Sequence, residues 1–349
     1  MLIPRQTAIP ALVRVKPGAL DRSGIYAERH AFTRVLLFFS HGLNGQLMAQ
    51  LARSLEHRSI EVLQLTPVES NSFERAIELF RQSPRNADAI IGFGGGKALD
   101  VAKYIAFLSR LPYLSVPTSL SNDGFCSPQS SLTVGDRRLT LASAVPFGVI
   151  LDTAVCLNAP ENLWHSGVGD LVSKFTAVTD WKLAFHAAGT PVDDFAALLS
   201  DASVYQFLAR PKRDLDGMRL LGTALMLNGI SMSICGSSRP ASGSEHLISH
   251  ALDSISKRPR LHGLQVGVAT YLVSLLQNRN SLRIASLFDA TGFWRAIAED
   301  TFDRAEWLEA ARLAPSMKPD YYTVLSSRDC LPEIETALHA DPHLQQCFR

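Results

Sequence analysis

A chain of 349 residues exceeds one ordinary domain, so the length predicts two. Apolar residues make up 46% and charged residues 19%, enough for sizeable cores, and a net charge of +1 argues for neither nucleic acid nor an anionic membrane as partner. Five scattered cysteines without a CxxC pair read as reduced thiols of a cytoplasmic protein. The first residues lack the basic-then-apolar layout of a signal peptide, no stretch of eighteen or more apolar residues suggests a membrane span, and no repeat or low-complexity tract appears.

In chain order, Arg34–Ser40 is almost wholly apolar and suits a buried parallel strand. Residues 42–57 follow with helical spacing, Leu43, Leu47, Leu51 and Leu55 forming a stripe. A second strand is expected at 60–65. Asn71 or Ser72 caps a helix through Gln82, with Glu74 in its first turn. A third strand, 87–93, runs into Gly94-Gly95-Gly96, a helix covers 99–108, and a fourth strand covers 111–117. This alternation implies a doubly wound α/β sheet. Leu132-Thr-Val and Leu139-Thr-Leu flank residues 135–138, a hairpin signal. Beyond about residue 158 the pattern is helical, with helices expected at 167–187, 195–208, 218–235, Ser244–Ile255, 266–277 and 305–314. The chemistry is expected in the cleft between an α/β domain and an all-helical domain.

Three stretches carry chemistry. The glycines at 94–96 sit at a strand-to-helix turn, where backbone can approach a pyrophosphate and the helix N-terminus offers N–H groups. They form neither GxGxxG nor a Walker loop, and a plain tight turn reads equally well. Asp100 and Lys103, three apart, can be a surface pair. The polar loop Val116-Pro-Thr-Ser-Leu-Ser-Asn-Asp-Gly-Phe-Cys-Ser-Pro128 ends a strand, where such sheets bind ligands, although its composition is also that of ordinary turns. His246 and His250 are four apart and share a helix face, and His262 follows a break at Pro259. A helical pair plus a third imidazole is a common way to build a metal site. Asp170, at a glycine-rich helix start, reads either as a cap or as a carboxylate ligand beside His246 and His262. Asp with two His leaves the open position that catalytic zinc needs.

Taken in order, these motifs resemble the sn-glycerol-1-phosphate dehydrogenase family, within the iron-containing alcohol dehydrogenase and dehydroquinate synthase-like superfamily. The resemblance spans about residues 34 to 272. It is carried by Gly94-Gly-Gly-Lys-Ala-Leu-Asp-Val-Ala-Lys103, Pro117-Thr-Ser-Leu-Ser-Asn-Asp-Gly-Phe-Cys-Ser-Pro128, Gly169-Asp-Leu-Val-Ser-Lys-Phe-Thr-Ala-Val-Thr-Asp-Trp181, Ser242-Gly-Ser-Glu-His-Leu-Ile-Ser-His-Ala-Leu-Asp253 and His262-Gly-Leu-Gln-Val-Gly-Val268. It implies the two-domain dehydroquinate synthase-like fold: an NAD(P)-binding, Rossmann-like α/β domain over 1–157 and an all-α, metal- and substrate-binding domain over 158–349. The implied metal ligands are Asp170, His246 and His262. The implied NAD or NADP contacts are Gly94, Gly95, Gly96, Lys97, Asp100, Thr118, Ser121 and Ser127. Asp123, Asp170 and His250 match substrate contacts, and Asp123 and His250 are the candidate catalytic residues, with fixing a metal ligand in place as the plainer role for His250.

The family reduces dihydroxyacetone phosphate to sn-glycerol 1-phosphate with NADH or NADPH, usually on zinc, and in archaea the product begins the membrane phospholipid backbone. Nickel and iron(II) accept the same ligands. The resemblance further implies a cytoplasmic homo-oligomer acting on a small molecule of the triose phosphate class. This sequence departs from the family pattern at Asn122, commonly His, and at Leu264, commonly Glu. Those changes leave open another polyol or hydroxyketone, or a cyclitol or dehydroquinate synthase-like lyase that keeps NAD bound. The strand ending in Ser40-His41 carries no acidic residue to repel a 2′-phosphate, so NADPH is expected to be tolerated. Lys174, Arg239, Lys257 and Arg260 are the nearest cations for a phosphate, each equally readable as a solvated charge.

Overall fold

The computed structural model describes residues 7–135 and 137–349; the signal-peptide reading of the first six residues and Asp136 of the expected hairpin turn lie outside the described residues. The chain divides into two compact units, Met1–Ala159 and Pro160–Arg349.

The first unit is built on a six-stranded sheet of order β1-β8-β5-β4-β2-β3, with every pairing parallel. Its strands are β1 (Leu12–Lys16), β2 (Arg34–Ser40), β3 (Glu61–Val68), β4 (Ala89–Gly94), β5 (Tyr113–Pro117) and β8 (Gly148–Asp152). The side chains of β2 alternate as a pleat requires. Val35 and Leu37 join the core under α1 (Ser23–Glu28) and α2 (Gly45–Glu56), whereas Leu36 and Phe38 join the core under α3 (Phe73–Gln82) and α4 (Gly96–Ser109). Both faces are therefore covered, which explains the near-continuous apolar runs. Ser72 caps α3 by accepting from the Arg75 N–H, as its sequence position suggests. The hairpin β6 (Gln129–Val134) and β7 (Arg137–Ala142) forms a separate two-stranded sheet.

Strands β1 and β8 go beyond the sequence reading. β8 is a fully buried five-residue strand directly after the hairpin, and it pairs with β1 and β5. Its run Val149-Ile-Leu151 is apolar but short, and its partners β1 and β5 are distant in sequence.

A short α5 (Thr153–Leu157) closes the first unit. The second unit is helical throughout: α6 (Glu161–Val172), α7 (Lys174–Ala188), α8 (Asp194–Leu208), α9 (Leu215–Cys235), α10 (Ser244–Ile255), α11 (His262–Leu276), α12 (Ser281–Thr291), α13 (Phe293–Ala298), α14 (Arg304–Met317), α15 (Val324–Ser327), α16 (Leu331–Ala340) and α17 (Pro342–Gln345). The single helix expected at 167–187 is in fact two. α6 starts earlier, at Glu161, and the helix breaks at Ser173, whose hydroxyl donates to the Asp170 carbonyl at 2.7 Å. By length and composition α9 could cross a membrane, with a mean hydropathy of 1.3, but 56% of that window is buried, as in a core helix. All five cysteines are free.

Candidate metal centre and glycine loop

Asp170 lies near the C-terminal end of α6, not at a helix start, so it cannot act as the N-cap that its glycine-rich neighbourhood suggested. A carboxylate there opposes the helix dipole and needs a nearby cation. Lys174, fully buried at the start of α7, supplies one, with Nζ 3.5 Å from Asp170 Oδ2.

Glycines set the position of α6 against α11. A Cβ on Gly169 would collide with the Gly263 carbonyl oxygen, one on Gly263 with the Ser166 carbonyl, and one on Gly267 would lie 2.9 Å from the Gly169 Cα. The two backbones touch, and this contact carries the first residue of α11, His262, to Asp170. α10 presents His246 from the third side. His246 Nε2 lies 3.5 Å from Asp170 Oδ1, and His262 Nε2 lies 4.0 Å from the same oxygen. One donor atom from each of Asp170, His246 and His262 falls within 4.8 Å of the others. Donors around a tetrahedral zinc at about 2.1 Å stand roughly 3.4 Å apart, so the chemistry and spacing of this set fit a small divalent ion.

The electrostatics agree. Burial pushes the Asp170 carboxyl up, but the charge on Lys174 and the two imidazoles outweigh it and hold the carboxyl below the usual range. For His246, burial opposes the imidazolium, whereas hydrogen bonds with Asp170 and Glu245 outweigh that penalty and raise its proton affinity. His250 lies one turn along α10, its ring 6.4 Å from that of His246 and 6.0 Å from that of His262. It borders the cluster without entering it.

In the first unit, Ser40 ends β2 and Gly94 ends β4. These neighbouring strands flank the point where the strand order reverses, and ligands of doubly wound sheets bind outside the carboxyl ends there. Gly94 has a φ of +132°, and a Cβ on it would collide with the Ser40 hydroxyl, which accepts from the Gly95 N–H at 2.9 Å. Gly95 caps α4 without any side-chain hydrogen bond, and Gly96 opens the helix with nothing near its missing Cβ. A cavity of about 360 Å³ opens here, lined by Ser40, His41, Val68, Glu69, Gly95, Gly96 and Lys97. The end of β2 at Ser40-His41 is marked in the sequence as a cofactor position, whereas Glu69 carries no signal there. The register of β2 on β3 pairs Ser40 with Val68, which brings Glu69 beside His41, at 3.4 Å.

The Asp100–Lys103 pair is no surface feature. Lys103 is buried, 3.3 Å from Asp100, and donates to the Gly124 carbonyl at 2.6 Å. Ser127 is buried too and donates to the Gln129 carbonyl at 3.0 Å. Together they tie the 118–128 loop to α4. The Thr118 N–H donates to the Gly94 carbonyl, placing β5's end beside the glycines. Ser121 and Asp123 lie in the same loop, where Asn122 accepts from the Gly124 N–H and so caps the 3-10 turn Asp123–Phe125.

The suggested solvated cations are mostly otherwise engaged. Lys174 is ion-paired and buried. Arg239 is buried and donates to the Tyr322 and Asp320 carbonyls. Arg260 pairs with Asp300 and donates to the Thr301 carbonyl. Only Lys257 of the four is exposed.

The chain is similar over most of its length to known proteins. The iron-containing alcohol dehydrogenase family model matches residues 14–160. Glycerol-1-phosphate dehydrogenase [NAD(P)+] of Aeropyrum pernix is 35% identical, covering 95% of this chain and 96% of that protein. The chain belongs to the glycerol-1-phosphate dehydrogenase family. The family member of the same name from Methanothermobacter thermautotrophicus is 33% identical over 93% of this chain and 94% of its own. Among solved structures, glycerol dehydrogenase from Schizosaccharomyces pombe shares the fold, with a TM-score of 0.77 at 20% identity, covering 98% of this chain and 92% of that one.

Proposed function

We propose that this protein reduces dihydroxyacetone phosphate to sn-glycerol 1-phosphate with NADH or NADPH and one divalent metal ion, most simply zinc. The convergence of Asp170, His246 and His262 carries the reading, because a buried carboxylate and two imidazoles at this spacing suit an ion with an open coordination position. Relatives named for this activity match nearly the full chain, which supports the substrate.

Hydride goes to the carbonyl carbon and a proton to its oxygen. A divalent ion supplies Lewis acidity toward that oxygen, and a nicotinamide supplies the hydride. The chain's own residues do the rest. Asp170, His246 and His262 would hold the ion, and Lys174 keeps the Asp170 carboxyl ionised and ready to bind it. His250, next to the cluster, is the proposed proton source for the carbonyl oxygen or an orienting hydrogen bond to it. Gly94, Gly95, Gly96, Lys97, Thr118 and Ser121 are the proposed cofactor contacts. Asp100 and Ser127 act on that site by holding its loop to α4 through Lys103. Asp123 is proposed as a substrate contact on its motif alone.

The test is zinc-dependent NADH oxidation. Metal-stripped protein should be inactive with dihydroxyacetone phosphate and recover on adding zinc. Zinc-bound protein that never oxidises NADH or NADPH with this ketone would contradict the reading.

A further inference from the structure

Glu245 is fully buried and immediately precedes His246. Its Oε1 lies 2.9 Å from His246 Nδ1 and accepts from the Gly243 N–H at 2.6 Å. Its Oε2 accepts from the Thr176 hydroxyl at 2.8 Å. An ionised carboxylate only accepts, so a hydrogen bond to it requires the proton of His246 on Nδ1. Nε2 is the ring nitrogen that faces Asp170, so it is the atom an ion held at the cluster would use. His262 is backed differently. Its Nδ1 lies 3.2 Å from the Ser249 hydroxyl, which in turn donates to Gln265 Oε1 at 3.4 Å. One imidazole thus rests on a buried carboxylate and the other on a neutral hydroxyl.

The local charge explains why a carboxylate is tolerated there. Burying an ion without a partner is costly. Asp170, Asp180 and Glu245 are all buried, with Lys174 the buried cation at Asp170 and Lys318 near Glu245, so a dication at the cluster would offset the remaining negative charge. The carboxylate's own fold supports it. Asp180, also buried, fixes the turn ahead of Glu245 by accepting from the Ser244 N–H at 2.7 Å, and it holds Gln277 and the Val324 N–H on its other oxygen.

We infer that Glu245 is a positioning residue that fixes the tautomer and orientation of His246 and strengthens it as a ligand, making His246 the more firmly anchored of the two imidazoles. This rests on the metal reading above. Outer carboxylates behind ligating histidines typically change metal affinity by about 10- to 100-fold.

The test measures zinc dissociation constants by chelator competition on metal-stripped full-length protein, for wild type, Glu245→Gln and Ser249→Ala. Glutamine keeps the shape and an accepting oxygen but removes the charge. The expected result is a loss of about 10- to 100-fold for Glu245→Gln and a smaller loss for Ser249→Ala. Wild-type affinity in Glu245→Gln would overturn the inference while leaving the metal reading intact. A wild-type chain that binds no zinc would overturn both. If Glu245→Gln does not fold, long-range proton–nitrogen spectra of zinc-loaded wild type decide the matter. Ligation of His246 through Nε2 with a proton on Nδ1 supports the inference, and ligation through Nδ1 overturns it.

Discussion

Gly169 and Gly263 touch backbone to backbone: neither has room for a Cβ, because each faces a carbonyl oxygen of the opposite helix. The contact sets how far Asp170 on α6 stands from His262 on α11. Gly169→Ala or Gly263→Ala must therefore push the helices apart. Overpacking of this kind costs about 1–3 kcal/mol. We expect a lower unfolding temperature together with weakened zinc binding, read by calorimetry and by metal content after dialysis. Zinc retained at full stoichiometry and wild-type affinity would mean that the glycines serve packing alone.

The three loop glycines should separate by role. Gly94→Ala strains a left-handed backbone position against Ser40, so it should destabilise the first unit by about 1 kcal/mol or more. Gly95 has ordinary φ and only the Ser40 hydroxyl near its missing Cβ, at 3.9 Å. Gly95→Val should leave the unfolding temperature nearly unchanged and raise the cofactor KM severalfold. An unchanged KM would reduce the glycine loop to a turn.

Glu69 alters the expectation for cofactor choice. The end of β2 carries no carboxylate, yet β3 brings one into the same cavity beside His41. A carboxylate there can bind ribose hydroxyls and repel a 2′-phosphate. Glu69→Gln should shift the NADPH to NADH ratio of kcat/KM toward NADPH by roughly fivefold, about 1 kcal/mol for solvent-exposed charges. Paired steady-state kinetics would show it, and an unchanged ratio would place Glu69 outside the cofactor site.

Zinc affinity should depend on pH in a definite direction. His246 binds its proton more tightly in the folded chain than the ordinary 6.5. In the metal-free protein that proton contributes stability below 6.5, and the contribution is lost as pH rises through the raised folded value. A metal needs the neutral ring. Affinity should climb about tenfold per pH unit while one proton is displaced, then level off above the raised value. A flat profile from pH 6 to 8, measured by chelator competition, would show that His246 is not the displaced ligand.

The strongly periodic elements were legible. β2 spans Arg34–Ser40 and α10 spans Ser244–Ile255, the same residues that their apolar patterns mark. Asp170, His246 and His262 were also named by motif, and they meet in space. What escaped depends on long-range contacts. β8 acquires its identity from β1 and β5, far away in sequence. Neighbours on a helix point apart, so nothing in the spacing marks Glu245 as a partner of His246. It turns back because it sits in the first turn of α10, where Gly243 and Thr176 can donate to it. Glu69 reaches the glycine loop through strand register alone. The break at Ser173 was hidden because helical periodicity continues on both sides of it.

The most direct test is the oxidation of NADH and NADPH by zinc-loaded protein given dihydroxyacetone phosphate or unphosphorylated dihydroxyacetone, with the stereochemistry of the product determined. Turnover is expected on the phosphate ester in strong preference to the free ketone, yielding sn-glycerol 1-phosphate. Turnover on the free ketone alone, or an sn-3 product, would contradict that expectation and make Asn122 and Leu264 the marks of a different substrate.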